Sequence, residues 1–172
     1  MKTSYTLSAH AARVSILILI IIAAAAFTSR ADKAPDSINT IETLLPDSVS
    51  LNNKVVYVDF WASWCTPCRH SFPWMQEMYD KYHGRGLEIV AVNVDKDHGA
   101  AMDFLHDTRV TFPIVFDSTG KVAKEFKLET MPTSFVYSRD GRMITRNRGF
   151  RKEETDSLDY AISQLLVEGR KK

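Results

Sequence analysis

The chain's two cysteines stand two residues apart in Trp64-Cys65-Thr66-Pro67-Cys68-Arg69-His70. A pair at that spacing has three chemical uses. It can attach a c-type haem, supply half of a zinc site, or cycle between dithiol and disulfide. Haem attachment needs a histidine directly after the second cysteine, and here Arg69 intervenes before His70. A structural zinc needs four ligands in tetrahedral array. The pair supplies two, and His70, His83, His98 and His106 follow no paired spacing that would complete the set. No metal site is expected, and His70 reads as an exposed helix residue at the rim of the motif.

The redox use depends on where the pair sits. Lys54 to Ala62, KVVYVDFWA, is a continuous apolar run that reads as a strand buried on both faces. From Thr66 to about His83 the pattern is helical, with Phe72, Met75, Met78, Tyr79 and Tyr82 on one side, Pro73 inside, and Gly84 and Gly86 as the stop. Cys65 therefore falls at a helix N-terminus, beside free N–H groups and the positive end of the helix dipole, both of which favour thiolate. Arg69, one turn on, adds positive charge. Pro67 suits the first turn. Cys68 returns to the same side, within disulfide reach. Lowering a thiol pKa from about 8.5 to about 7 raises the thiolate fraction at pH 7 roughly 15-fold. Nucleophilicity falls roughly fivefold over that shift, so attack gains only about threefold. The larger effect is on redox poise, because a stabilised thiolate stabilises the reduced form.

Leu87 to Asp95 reads as a second buried strand. Asp97 can cap a helix reaching about Thr108. Phe112 to Asp117 reads as a third strand and Lys121 to Lys127 as a short helix. Two more strands follow, joined at Asp140-Gly141. The closing helix runs from about Lys152 to Val167, with Leu158, Ile162, Leu165 and Leu166 inward. The order β-α-β-α-β-α-β-β-α predicts an α/β fold, a mixed central sheet with helices on both faces.

The 172 residues suit one domain, and a formal net charge of +1 gives no sign of nucleic-acid binding. Gly169 to Lys172 is a basic, solvated end. The N-terminus differs in character. Lys2 and Arg13 precede VSILILIIIAAAAFTS, Val14 to Ser29, about 16 residues long. That is long for a signal peptide's apolar region and short of the roughly 20 residues that span a bilayer comfortably. A cleaved signal peptide and an uncleaved membrane anchor both fit residues 1–30, and no cysteine follows to carry a lipoprotein anchor. Residues 31–48, polar with Pro35 and Pro46, read as a linker, and residues 49–169 as the globular domain. In an exported domain two cysteines usually form a structural disulfide. A loop of two residues removes too little chain entropy for that role.

The segment VVYVDFWASWCTPC resembles the active-site segment of the thioredoxin superfamily, and more narrowly the exported TlpA/ResA-type thiol-disulfide oxidoreductases. The resemblance covers roughly Val49 to Leu166 and rests on four separated features. They are Trp64-Cys65-x-Pro67-Cys68, Pro73 within the active-site helix, Met131-Pro132-Thr133 as the cis-proline loop, and Gly149 before the last helix. The stretch from about Asp97 to Asp117 matches the central αβ insertion of the exported branch.

The resemblance implies a thioredoxin fold and a role for each matching position. Cys65 would be the exposed nucleophile and Cys68 the buried resolving thiol. Pro132 would be cis, and with Met131 would present backbone to an extended substrate. Trp64, Thr66 and Pro67 would border the docking surface, and Gly149 would leave room for substrate. No cofactor is implied beyond the redox-active disulfide itself. The implied partners are exported proteins with disulfides or thiols, apocytochrome c and copper-site maturation factors among them. Electrons would come from a membrane donor of the DsbD/CcdA type. The implied location is periplasmic or extracytoplasmic, on the inner membrane if the N-terminus stays attached.

Asp59 stands among apolar strand neighbours and is expected to be buried with a raised pKa. The resemblance puts it at the buried acid of thioredoxin, proton acceptor and donor for Cys68. The chain also departs from its models. Many exported relatives carry a neutral residue at that position, and some a glutamate between the cysteines, where this chain has Thr66. Ala91 stands where thioredoxin has a lysine beside the acid. Other activities compete: disulfide oxidation or isomerisation, thiol peroxidase chemistry, a binding or chaperone role, and Cu(I) delivery through paired thiolates. Met75, Met78 and Met131 lie near the motif, but methionines at helical spacing usually belong to a core.

Overall fold

A computed structural model describes residues 38–168. The run Val14–Ser29, with the expected signal peptide or anchor it belongs to, lies outside those residues. Among the described residues no helix is long and apolar enough to cross a membrane.

Five strands form one sheet. They are β1 (Val55–Trp61), β2 (Leu87–Asn93), β3 (Ile114–Phe116), β4 (Thr133–Tyr137) and β5 (Met143–Arg148). The spatial order is β3-β2-β1-β4-β5. β1, β2 and β3 run parallel, β4 pairs antiparallel with β1, and β5 pairs antiparallel with β4 at the rim. The apolar runs predicted as doubly buried strands occupy the centre, and every residue of β1 and of β2 is buried. β3 is shorter than expected. Pro113 has no N–H to give to a ladder, although its carbonyl accepts from Ala91 N at 3.0 Å.

Alternation along β1 divides the core in two. Tyr57 and Trp61 face α2 (Thr66–Tyr82), α3 (His98–Thr108) and α5 (Thr155–Glu168), where Phe72, Met75, Phe104 and Ile162 pack against them. Val56, Val58 and Phe60 face the other way, among Phe126, Phe135 and Ile41. The buried positions of α2 include Phe72, Met75, Met78 and Tyr82, as its periodicity predicts. Met75 and Met78 are thus core residues, 0% and 2% exposed. Asp97 caps α3, its Oδ1 accepting from Gly99 N at 2.9 Å. Asp159 of α5 accepts from Lys81 Nζ and from Tyr82 Oη at 2.6 Å each, tying α5 to α2. The closing helix opens on a 3₁₀ turn at Lys152–Glu154 before α5 proper. α4 (Lys121–Glu125) stops two residues short of its expected end, and Lys127 takes a φ of 48°.

Part of the expected linker belongs to the fold. Ile38–Glu42 forms a helical turn, α1, whose Ile38 and Ile41 are 8% and 0% exposed. They are the apolar residues of an otherwise polar stretch, and at i, i+3 they share one helix face. The second face of the sheet needs cover, and burying one isoleucine there contributes roughly 1.5–3 kcal/mol. Sparse apolar residues between prolines hide that role from a composition reading.

Candidate active site

α2 begins where β1 ends, so the cysteine pair lies at the C-terminal edge of the central strand. Cys65 is the N-cap of α2, in extended conformation at φ −85°, and its Sγ accepts from Cys68 N at 3.3 Å. The two cysteines form a disulfide, with Cα atoms 5.3 Å apart. Cys68 is fully buried and Cys65 keeps 4% of its surface. The expectation of an exposed Cys65 is therefore met only in rank. Cys65 is buried, and Trp64, 69% exposed, is the projecting residue.

That loop carries Pro132. The Met131–Pro132 peptide is cis, Pro132 is buried and Met131 half-buried. A groove of about 580 Å³ runs between the loop and the motif, lined by Trp64, Cys65, Thr66, Pro67, Leu128 and Met131, with Glu129 at its side. Gly149 stands behind the loop. Its φ is +82° and its amide donates to Pro132 O at 2.8 Å. A Cβ at Gly149 would meet nothing within 4 Å, so the backbone conformation is what calls for glycine there.

Asp59 lies on the β1 face shared with Tyr57 and Trp61, the face on which the cysteines pack. It is 1% exposed, and its Oδ2 has no hydrogen-bond partner. Burial alone pushes its carboxyl well above the usual range. Its neighbour across to β2 is Ala91, which has no charge to offer. Burial likewise pushes the Tyr57 phenol up, and the nearby charge of Asp59 pushes it further.

Periodicity does not reveal how the loop between β1 and α2 is held. Asp95, just past β2, is 5% exposed. Its Oδ2 accepts from Ser63 N and from Asn93 Nδ2, each at 2.8 Å, and its Oδ1 accepts from Ser63 Oγ at 3.2 Å. Arg69 Nη2 donates to Ser63 O at 3.2 Å, and its guanidinium lies over the Phe104 ring at 5.0 Å. Ser63, the residue before the motif, is thus held at its amide, its hydroxyl and its carbonyl. Arg69, expected to support a thiolate, spends its donor and its flat face on the loop and the core. A signal for Asp95 did exist: an acid at the end of the strand parallel to β1, beside the loop it holds.

His70 is exposed, and with Arg69, Trp74, Phe150 and Lys152 it lines a second cleft, of about 570 Å³. Among the described residues no three His, Cys, Asp or Glu side chains cluster in a way that could hold a metal ion.

The chain matches the Redoxin family model over residues 29–162. It is similar to the thiol-disulfide oxidoreductase ResA of Bacillus subtilis (strain 168), 35% identical over 119 residues that cover 69% of this chain and 65% of that protein. ResA of Bacillus thuringiensis subsp. konkukian is 35% identical over 101 residues, 59% of this chain and 58% of that protein. The match thus spans less than two thirds of these relatives' length. Among solved structures, a Chlorobium tepidum protein assigned as the thiol:disulfide interchange protein DsbE superposes with a TM-score of 0.66 at 42% identity, covering 67% of this chain and 82% of that one. StoA of Bacillus subtilis superposes with a TM-score of 0.56 at 30% identity, covering 63% and 82%. The fold is that of thioredoxin.

Proposed function

From the premise that this chain belongs to the Redoxin family, we propose that it is an exported thiol-disulfide oxidoreductase working through Cys65 and Cys68. One observation carries the reading. The cysteine pair caps a helix, closes as a disulfide beside the cis-Pro132 loop, and lies on the same sheet face as a buried acid without a charged partner.

The reaction balances as two exchanges. In the dithiol form the Cys65 thiolate attacks one sulfur of a substrate disulfide. That S–S bond breaks, a mixed disulfide forms, and the departing substrate thiolate takes up a proton. Cys68 then gives its proton to Asp59, and its thiolate attacks Cys65 Sγ. The mixed disulfide breaks, the Cys65–Cys68 bond forms, and the second substrate thiolate leaves. The substrate gains two electrons and the protein loses two. The N-cap position favours the Cys65 thiolate because unpaired amides and the helix dipole meet there. The raised pKa of Asp59 suits a group that must exchange a proton with a thiol. Trp64, Thr66, Pro67 and Met131 would border the bound polypeptide, with backbone at Met131 and Pro132 pairing to it and Gly149 leaving it space.

The direction we propose is reductive. The substrates would be disulfides of periplasmic or extracytoplasmic proteins, with apocytochrome c as one class. A membrane donor of the DsbD/CcdA type would restore the dithiol, and residues 14–29 would deliver the domain to, or hold it at, the cytoplasmic membrane. No cofactor is needed beyond the disulfide.

The test is the reduction potential of the full-length chain, equilibrated in glutathione or dithiothreitol buffers and read by Trp64 fluorescence. A value near or below about −250 mV, close to thioredoxin's −270 mV, supports the reductant. A value of about −120 to −180 mV would make it an oxidase or isomerase. Absence of a reversible two-electron transition would overturn the oxidoreductase reading altogether.

A further inference from the structure

Asp59, once protonated by Cys68, must pass that proton on before the next turnover. A carboxyl that is 1% exposed cannot do so directly. The sheet provides a way out. Asp59 on β1 is registered opposite Ser134 on β4, and Ser134 is registered opposite Asn147 on β5. Residues so paired lie side by side on one face of a sheet. The three form a polar row from the central strand to the edge strand. Asn147 Nδ2 donates to Ser134 Oγ at 3.3 Å. The Tyr57 hydroxyl, two residues from Asp59 on the same face, is close enough to Ser134 and to Asp59 for both to act on its ionisation.

The row ends in a cleft. Tyr57, Ser134, Thr145, Asn147 and Gly149 line a cavity of about 420 Å³ between the β4–β5 hairpin and α5. That is room for several water molecules at about 30 Å³ each. It shares no lining residue with the groove at Cys65. Arg151 and Glu154 are the charged residues of its lining. The neighbours of Asp59 in register are Ala91 and Ser134, neither of them titratable.

We propose that Ser134 and Asn147, with the Tyr57 hydroxyl, form the proton conduit of Asp59, opening to solvent through the α5 cleft rather than through the substrate groove. This rests on Asp59 being the acceptor for Cys68. Asp59 Oδ2 makes no direct hydrogen bond to Ser134, so a water drawn from the cleft and held at Ser134 Oγ takes the Asp59 proton and passes one outward; Ser134 ends unchanged and Asp59 returns as carboxylate. Bound substrate would cover the groove and reach the cleft only at Gly149, while the proton leaves past Arg151 and Glu154. Ser134 and Asn147 are then positioning residues, which act on the cysteines only through Asp59.

The experiment has two readouts on the full-length chain. One is the Asp59 titration midpoint in the disulfide form, followed by carboxyl 13C NMR, which needs no turnover. The other is exchange with a model disulfide, in which a single turnover reads Cys65 attack and the Cys68 step, and repeated turnover with dithiothreitol restoring the dithiol adds the release of the Asp59 proton between cycles. Ser134→Ala is expected to raise the Asp59 midpoint further, because a polar neighbour is lost, and to slow repeated turnover about tenfold. Cys65 attack stays unchanged, and Ser134→Thr restores both values. Asn147→Ala and Tyr57→Phe move both readouts in the same direction, less far. An Asp59 midpoint and a repeated-turnover rate within about twofold of wild type in Ser134→Ala and Asn147→Ala would overturn the conduit. So would equal slowing of both exchange steps, the signature of a loosened fold. If the wild-type chain shows no exchange at all, the oxidoreductase reading fails instead, and an unmoved midpoint would then reject the conduit separately.

Discussion

The amide of Gly149 donates to the carbonyl oxygen of Pro132 at 2.8 Å, so the turn before α5 and the cis-proline loop are fastened to one another through backbone alone. Gly149 holds a φ of +82° to make that bond. An L side chain in the left-handed region costs roughly 1–2 kcal/mol. Gly149→Ala is expected to lower stability by about that amount in urea unfolding and to weaken polypeptide substrates more than small thiols. Unchanged stability would show that the turn relaxes without cost.

The cysteines are expected to separate by role. Cys65→Ser abolishes exchange. Cys68→Ser retains attack but cannot resolve it, so the chain accumulates as a mixed disulfide through Cys65. Intact-mass spectrometry after incubation with an oxidised polypeptide reads this directly. Trapping through Cys68 in the Cys65→Ser variant would reverse the assignment.

Asp59 sets a pH dependence of stability. Its folded pKa lies above its unfolded value, which is about 3.9. The native state therefore holds the proton to higher pH than the unfolded chain does. The stability this gives is fully present below about pH 3.9 and is lost as pH rises through the folded pKa. Asp59→Asn cannot ionise and escapes the loss. The variant's advantage over wild type should widen by up to about 1.4 kcal/mol per pH unit above pH 4 and stop widening at the folded pKa. Denaturant midpoints at several pH values measure it, and parallel profiles would refute a raised Asp59.

Asp95→Ala should loosen the motif without touching a cysteine. It strands Ser63 N and Asn93 Nδ2, both now bonded to the lost carboxylate. A buried donor left unpaired costs roughly 1–3 kcal/mol. A lower melting temperature is expected, together with slower exchange at unchanged pH optimum. A normal exchange rate would mean that Arg69 and the helix hold the loop unaided.

Much of this could be read along the chain. β1, β2 and α2 have unbroken apolar patterns because each is packed on long stretches of its surface, and such burial writes itself into local periodicity. The Asp140-Gly141 turn was legible for a similar reason: Gly141 takes a φ of +75°, which few other residues adopt. The features that escaped depend on partners distant in sequence. α1 is two isoleucines among polar residues, and only the uncovered sheet face gives them a purpose. Ile41→Ala should therefore cost about 2–5 kcal/mol, as for other core truncations, and a loss below 1 kcal/mol in chemical unfolding would return the segment to linker status. The grip of Asp95 on Ser63 exists only once two parallel strands end side by side. The row Asp59–Ser134–Asn147 crosses three strands and has no signature in any one of them.

The two rims of the sheet have a consequence for life in a crowded compartment. An open sheet rim risks being zipped to any extended chain by main-chain pairing. β5, at one rim, carries Arg146 and Arg148, the first bonded to Lys127 O at 2.7 Å and the second paired with Glu129 at 3.2 Å. β3, at the other, is three residues long and follows Pro113. Charge, brevity and proline are the devices by which sheets refuse an extra strand. Extended polypeptides of any origin are thereby discouraged from pairing with the sheet's outer strands, which leaves the end of the sheet at Trp64 and the disulfide as its open side.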